Sequence, residues 1–405
     1  MTGRPGFAVR LAAITLIAAL PLTVYADLQF SGFGSTSLSC FSSNKVDYVV
    51  NDQPEGVGRS AACDTGLDSL LGMQFDVALS TNVELGLQVV FDRNVDRSFD
   101  PDINVAQVRW FIGEDDTLRA GRAPTSSFLH AESRQVRYAM PWVRPPLEVY
   151  GLVPTFSQDG LEWIHNGTLG DWSAEWHSGL YRLGFDAAVS NSRMTNQVSS
   201  DGAFLNLSLR NGPTTIKLGI GYSQTSLESG QLDSLFAALR AFGGPDGADL
   251  AKDLKIDDSP TWIAAIGLRQ ENDQWLLVAE LGLRTIEGFF RDQYGAYITL
   301  GRRFGPWMPY ATAAKRWTDG PASDARAGFL DAEVRQLLAS SRFDSTSYSL
   351  GLSYDLNTQA IVKFQVDRIQ PKKDSWGLYT NHATNFDFRD PGTQTLFTLS
   401  VDFLF

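Results

Sequence analysis

Apolar residues recur at every second position through most of the chain, in runs of about eight to twelve residues. Phe397, Leu399, Val401, Phe403 and Phe405 fall on one face, and Thr398, Ser400 and Asp402 fall on the other with Leu404. Val83, Leu85, Leu87, Val89 and Phe91 alternate with Glu84, Gly86 and Gln88 in the same way, and Tyr348, Leu350, Leu352 and Tyr354 alternate with Ser349, Gly351, Ser353 and Asp355. A period of two is that of a strand whose faces differ. A soluble sandwich alternates too, but its apolar face needs a partner sheet and its wet face carries more Lys and Glu than the Gly and Ser found here. Small, mixed polar residues suit the lumen of a wide antiparallel barrel whose other face meets lipid.

Short and long connections alternate. Seven tight turns fall at Ser80–Asn82, Gly113–Asp116, Gly167–Asp171, Asn211–Pro213, Glu271–Asp273, Gly305–Pro306 and Asn357–Thr358. Eight longer polar stretches, at about 40–67, 93–103, 123–158, 179–202, 227–259, 287–293, 318–344 and 370–393, lie between them. That count predicts an all-β, membrane-spanning barrel of sixteen strands with both termini on the short-turn side. The strands are expected near 28–39, 68–80, 83–92, 104–112, 117–122, 159–166, 172–178, 203–210, 214–226, 260–270, 275–286, 294–303, 308–317, 345–356, 360–369 and 394–405. Leu180 to Val189 also reads as strand, and eighteen strands are the alternative.

The start of the chain fixes the compartment. Arg4 and Arg10 bracket a positive start, Leu11 to Leu20 is apolar, and Val24-Tyr25-Ala26 offers small residues for cleavage, so residues 1–26 read as a secretory signal peptide and 27–405 as the barrel. The whole chain carries 34 Lys+Arg against 46 Asp+Glu, a formal charge of −12, which argues against nucleic acid as a partner. After residue 26 no apolar run approaches the ~20 residues of a membrane-spanning helix. Cys40 and Cys63 flank a polar, glycine-containing stretch, and in an oxidising compartment they are expected to form one disulfide.

With these features the chain resembles the Gram-negative outer-membrane porins along its whole length after residue 26. The carrying segment is Leu396-Phe397-Thr398-Leu399-Ser400-Val401-Asp402-Phe403-Leu404-Phe405, an alternating final strand with a terminal aromatic, and Leu28-Gln29-Phe30-Ser31-Gly32-Phe33-Gly34 is similar to a porin first strand. The resemblance implies that Phe403 and Phe405 are read by the barrel-assembly machinery. It also implies a homotrimer in contact with outer-membrane lipid and lipopolysaccharide, passing small hydrophilic solutes without a cofactor. Trp110, Trp172, Trp262, Trp275, Trp307, Tyr310 and Tyr348, near predicted strand ends, suit aromatic girdles.

In porins of this size the third long loop folds into the lumen, here the stretch at about 123–158. Arg134, Arg137 and Arg144 with Glu132 and Glu148 lie in it, Arg119 and Arg122 precede it, and Asp159 follows. Cations facing carboxylates across a narrow place would orient charged solutes, and guanidinium stays ionised; the other reading is that these arginines anchor the loop by ion pairs. Arg119 and Arg122 have opposite parity, so a regular strand sends only one inward. Met140-Pro141-Trp142-Val143-Arg144-Pro145-Pro146 stiffens the loop and favours a fixed constriction over a mobile gate. Parity elsewhere puts Glu84, Arg109, Glu175, Lys217, Glu280, Lys363 and Asp367 in the lumen. The arginines lean the expected channel toward anionic or zwitterionic solutes; a substrate-specific channel and a plugged structural or adhesive barrel are the alternatives.

Other chemistry finds little purchase. His130, His165, His177 and His382 stand in no nucleophile signature, so no enzyme is expected. Asp92, Asn94 and Asp96 space oxygen ligands as a calcium loop does, but Arg97 and Ile103 stand where an EF-hand needs Gly and Glu. Leu232, Leu235, Phe236 and Leu239, and Phe329, Val334, Leu337 and Leu338, follow helical spacing and predict short loop helices at the barrel mouth.

Overall fold

The computed structural model describes residues 27–50, 53–188 and 195–405; the expected signal peptide lies outside them. Sixteen strands form the barrel: β1 (Asp27–Phe41), β2 (Leu70–Ser80), β3 (Val83–Phe91), β4 (Pro101–Ile112), β5 (Asp116–Pro124), β6 (Ser157–Leu169), β7 (Trp172–Ala188), β8 (Thr195–Asn211), β9 (Thr214–Glu228), β10 (Ser259–Glu271), β11 (Trp275–Ile286), β12 (Gln293–Arg302), β13 (Trp307–Thr318), β14 (Ser345–Asn357), β15 (Ala360–Pro371) and β16 (Gln394–Leu404). Each pairs antiparallel with the next, and β1 closes the ring by taking β2 along Asp27–Ser35 and β16 along Phe33–Phe41. The eighteen-strand alternative is thereby set aside. The largest difference from the sequence reading is at β7 and β8, which extend to Ala188 and from Thr195 because alternation continues through Tyr181, Leu183 and Phe185.

The seam between first and last strands is built on glycine. Gly32 and Phe405 exchange backbone hydrogen bonds at 2.8 and 3.0 Å, and the Phe405 ring lies where a Cβ on Gly32 would be, 2.2 Å from the nearest ring atom. Phe403 covers Gly34 in the same manner.

Outward-facing positions carry the exposed apolar residues, among them Leu161, Leu180, Leu205, Leu350 and Leu399. Trp110, Trp262, Trp275, Trp307 and Tyr348 are exposed on this face, toward one or the other end of their strands. Tyr310 departs from the expectation. It points inward, is buried and donates to Gln365 Oε1 at 2.8 Å, because it shares parity with Met308 and Thr312 on the lumenal face of β13.

The long loops stack at one end. Cys40 and Cys63 are joined in a disulfide that ties the first loop to β1. Asp47–Tyr48 pairs with Val57–Gly58 and with Tyr379–Thr380, so the first and last loops share a small sheet. Asp47 is buried there and accepts from the amides of Gly56 and Ser60 and from Asn381 Nδ2. The predicted loop helices are present as α2 (Gly230–Phe242) and α4 (Asp331–Ser340), with α3 (Gly244–Leu254) following α2; α1 (Leu147–Tyr150) belongs to the third loop. Phe236, Leu239, Leu250, Leu254, Val334 and Leu338 pack these helices into one apolar cluster.

Candidate functional site: the loop inside the barrel

Residues 125–156 leave the wall after β5, cross the lumen and return at β6. Their apolar side chains bury themselves on one side of the barrel: Phe128, Met140, Trp142, Val149, Tyr150 and Leu152 pack on Leu276, Val278, Tyr297, Met308 and Tyr310. Trp142 meets no solvent to speak of, and its Nε1 donates to Thr299 and Thr312 at 2.9 and 3.1 Å. Lumen-facing glycines make the close approach feasible. A Cβ on Gly219 would come within 2.5 Å of the Ser127 carbonyl oxygen, and one on Gly295 within 2.1 Å of the Glu148 carbonyl oxygen; Gly267 and Gly282 between them face Leu129 and Phe128. Four adjacent strands, β9 to β12, thus offer a trench of glycines to the loop, a signal hidden among the 36 glycines of the sequence.

Buried charges bolt the loop down. Arg144 donates Nε and Nη2 to the Asp68 carboxylate at 2.9 and 2.5 Å, Nη1 to Asp367 at 3.0 Å and Nη2 to Thr398 at 2.7 Å. Arg137 donates to the Val143 carbonyl at 2.6 Å and approaches Asp68 at 3.4 Å. Burial alone would raise the Asp68 pKa, but Arg144 and Arg137 more than offset it and hold it below the usual carboxylate range. Lys363, fully buried, pairs with Asp402 at 2.8 Å and donates to the carbonyls of Arg137 and Trp142. Glu280 accepts from the Leu129 amide at 2.6 Å and from the Tyr297 hydroxyl. Glu148 accepts from Ser347, and burial pushes its pKa up.

The expected constriction residues therefore divide. Arg134 donates to the carbonyls of Tyr150, Val153 and Thr155 and stacks on Phe156, so with Arg137, Arg144 and Glu148 it is enclosed within the loop and its anchors. The expectation that these four line the passage is corrected by their burial. Arg122 and Asp159 need a second correction: they share parity with the exposed Leu118 and Leu161 and pair with each other at 2.8 and 2.7 Å on the outer face. Arg119, of the other parity, faces in. It binds Glu162 and approaches His177 at 3.3 Å, while Gln158 donates to Glu162 at 3.0 Å. Glu132 meets Arg119 at 3.4 Å and His177 at 3.8 Å from the loop side, with its side chain 40% exposed. Enclosure tends to raise the Glu132 pKa, but Lys217 and Arg119 outweigh it and keep the carboxyl below its usual range.

The solvent-facing lumen lies on the opposite wall. Arg109 is held between Asp76 at 2.8 Å and Glu84, Gln74 donates to both Asp76 oxygens at 3.0 Å, and Gln88 donates to Gln74 at 2.9 Å, all half-exposed on β2 to β4. On β4 of the same wall, Asn104 reaches the loop by donating to Gln135 at 2.6 Å. Of the suggested calcium ligands, Asn94 donates to the Asp100 carbonyl, Asp96 accepts from Ser98, and burial together with Asp102 pushes Asp92 up to about 6; among the described residues no group of three or more His, Cys, Asp or Glu is placed to hold a metal ion.

Neither protein-family models nor curated proteins match the sequence. Solved structures do match. The outer membrane channel DcaP of Acinetobacter baumannii superposes with a TM-score of 0.58 at 10% identity, over 94% of this chain and 97% of that one. The fold is that of an outer-membrane porin. This porin-type barrel is also similar to the anion-selective porin from Comamonas acidovorans (TM-score 0.52, 13% identity, 94% and 100% covered) and to the trimer form of OmpT, an outer membrane protein of Vibrio cholerae (0.53, 10%, 94% and 99%).

Proposed function

We propose that the protein is an outer-membrane channel for passive diffusion of small hydrophilic solutes, conducting through the crescent between the Glu132–Val136 turn and β2 to β4. One observation carries this reading. Lumen-facing side chains of β13 to β16, such as Thr312, Ser347, Gln365, Thr398 and Asp402, are buried beneath the loop, whereas Gln74, Asp76, Glu84, Gln88 and Arg109 are not. With Arg137 and Arg144 spent on Asp68 and Asp367, and Arg134 on carbonyls, the charges beside the crescent are Asp76, Glu84 and Glu132 against Arg109 and Lys217, with Arg119 shared between Glu132 and Glu162. The channel is therefore proposed to favour cations mildly, in place of the anionic lean that rested on the buried arginines.

Single-channel recording under a salt gradient tests this. The wild-type reversal potential is expected on the cation-selective side, and Glu132→Gln should move it toward zero with conductance kept within about twofold, since one carboxylate of a mixed set is lost. An anion-selective wild type would overturn the charge assignment. The breadth of the loop's contacts, from Asn104 on β4 round to Thr398 on β16, favours a plugged barrel as second reading, and silence from folded protein would decide for it. A homotrimer belongs to the same proposal, to be checked by the mass of the detergent-purified protein.

A further inference from the structure

At one level of the crescent the barrel wall carries amides in place of charge. Gln74 on β2 lies opposite Gln88 on β3, and Gln88 lies opposite Val105 on β4. Beyond Gln88 the register slips by one residue: Val89 meets Ile103, and Asn104 is left over as a β-bulge. Strict alternation with Ala106 and the exposed Val108 would send Asn104 to the outer face. The bulge re-aims it into the lumen, where it donates to Gln135 of the loop.

Gln88, Asn104 and Gln135 each use one end of the amide and keep the other. Gln88 donates Nε2 to Gln74, which donates its own Nε2 to Asp76, so Gln88 Oε1 heads that chain with no protein partner among the described residues. Asn104 Oδ1 and Gln135 Nε2 are likewise unpaired among the described residues. Together with Glu132 and Phe156 the three amides line one small recess that opens on the crescent, where Arg134 stacks on the Phe156 ring at 4.0 Å. One row nearer the short turns, Gln107 is buried with its Oε1 unpaired, and it borders the gap left by Gly86, where a Cβ would lie 3.4 Å from its Nε2. Asp76, Glu84 and Arg109 lie at or beyond that row and are taken up by one another.

We propose that this amide belt is a binding site for neutral polyhydroxylated solutes of about the size of a hexose, and so a specificity element of the channel; the inference rests on the crescent proposed above as its passage. A hydroxyl both donates and accepts, so neighbouring hydroxyls of one ring can donate to Gln88 Oε1 and Asn104 Oδ1 and accept from Gln135 Nε2. Adjacent strands stand ~4.8 Å apart, a spacing that a single pyranose ring bridges. Phe156 adds apolar surface for the C–H groups of such a ring. An ion, by contrast, finds no full charge of either sign among the three amides. A few net hydrogen bonds of this kind give a dissociation constant on the order of millimolar, weak enough for the solute to leave again, as conduction requires.

Saturation-transfer NMR of the full chain, in a detergent without a sugar headgroup, tests the site with D-glucose and with tetraethylene glycol, a neutral solute of similar mass and few hydroxyls. The wild type is expected to give a saturable glucose signal, half-maximal in the millimolar range, and a glycol signal at least about fivefold weaker. Gln88→Leu removes one acceptor without touching the contacts of the loop and should raise the glucose half-saturation about fivefold. Asn104→Leu/Gln135→Leu removes an acceptor and a donor together and should abolish saturation. Heat-modifiable gel mobility reports the folding of each variant. A wild-type glucose signal that does not saturate, equal binding of glucose and glycol, or an unchanged half-saturation in folded Gln88→Leu overturns the site. Conductance is read separately. A conducting barrel without saturable glucose binding rejects this inference and leaves the channel reading standing, whereas a silent barrel that binds glucose and responds to the variants as expected keeps the site and rejects the channel.

Discussion

Asp68→Ala is expected to destabilise the protein by about 3–5 kcal/mol and to release the loop inside the barrel, because it strips the carboxylate from two buried guanidinium groups. Arg144 would keep Asp367 and Thr398, whereas Arg137 would lose its carboxylate and keep the Val143 carbonyl. Two readouts follow. The temperature at which the folded gel band disappears should fall, and trypsin should cleave after Arg134 and Arg137 in the variant while leaving the wild type intact there; Pro145 protects the bond after Arg144 in both. The pH dependence has a definite sign. Since the Asp68 pKa is depressed in the folded state, its contribution is fully present above the unfolded value of about 3.9 and is lost only as pH falls through the folded one. Wild-type protein should therefore keep the loop latched from neutrality down to about pH 4, with tryptic sites exposed only after more acidic treatment. Cleavage in wild-type protein at pH 6 would contradict the latch.

Gly295→Val should have the second large effect, by a different route. Its Cβ would stand 2.1 Å from the Glu148 carbonyl oxygen and 2.8 Å from the carbonyl carbon, both backbone atoms of the loop, so no side-chain rotation relieves the contact. Overpacking of this kind costs ~1–3 kcal/mol, and the cheapest relief is to lift α1 off the wall. The expected result is a barrel of normal mobility with altered conductance and greater current noise. Gly221→Ala is the matched control, on the same lumenal face, where a Cβ would meet its nearest neighbours at 3.5 and 3.7 Å and should change neither quantity. Unchanged current in the valine variant would show that α1 does not bound the passage.

The barrel was legible in the sequence because its signal is repeated at every strand: one apolar and one small polar face, with turns at the places where the pattern breaks. The site was legible only in part, for reasons that can be named. Parity separated Arg119 from Arg122 but could not say which faced inward; that depends on register, and Leu118 and Leu161 on the outer face resolve it. Arg134, Arg137 and Arg144 read as pore residues because irregular backbone has no period, so burial inside a loop leaves no mark on the sequence. Their partners Asp68, Asp367 and Thr398 lie 76, 223 and 254 residues from Arg144, beyond any local pattern. Gln74, Gln88 and Asp76 were overlooked because an amide in a lumenal position looks like any other polar residue of an alternating strand.

The Arg144 site also bears on the order in which the molecule can be finished. Its partners come from the first loop, from β15 and from β16, which lie on the two sides of the seam where Phe403 and Phe405 settle onto Gly34 and Gly32. An open sheet lacking that seam can assemble β5 and β6 and the loop between them, yet leaves a guanidinium with part of its ligand set missing and exposed to the cost of an unmatched buried charge. Docking of the loop and closure of the ring are therefore one cooperative event, and a half-made barrel cannot hold a finished channel.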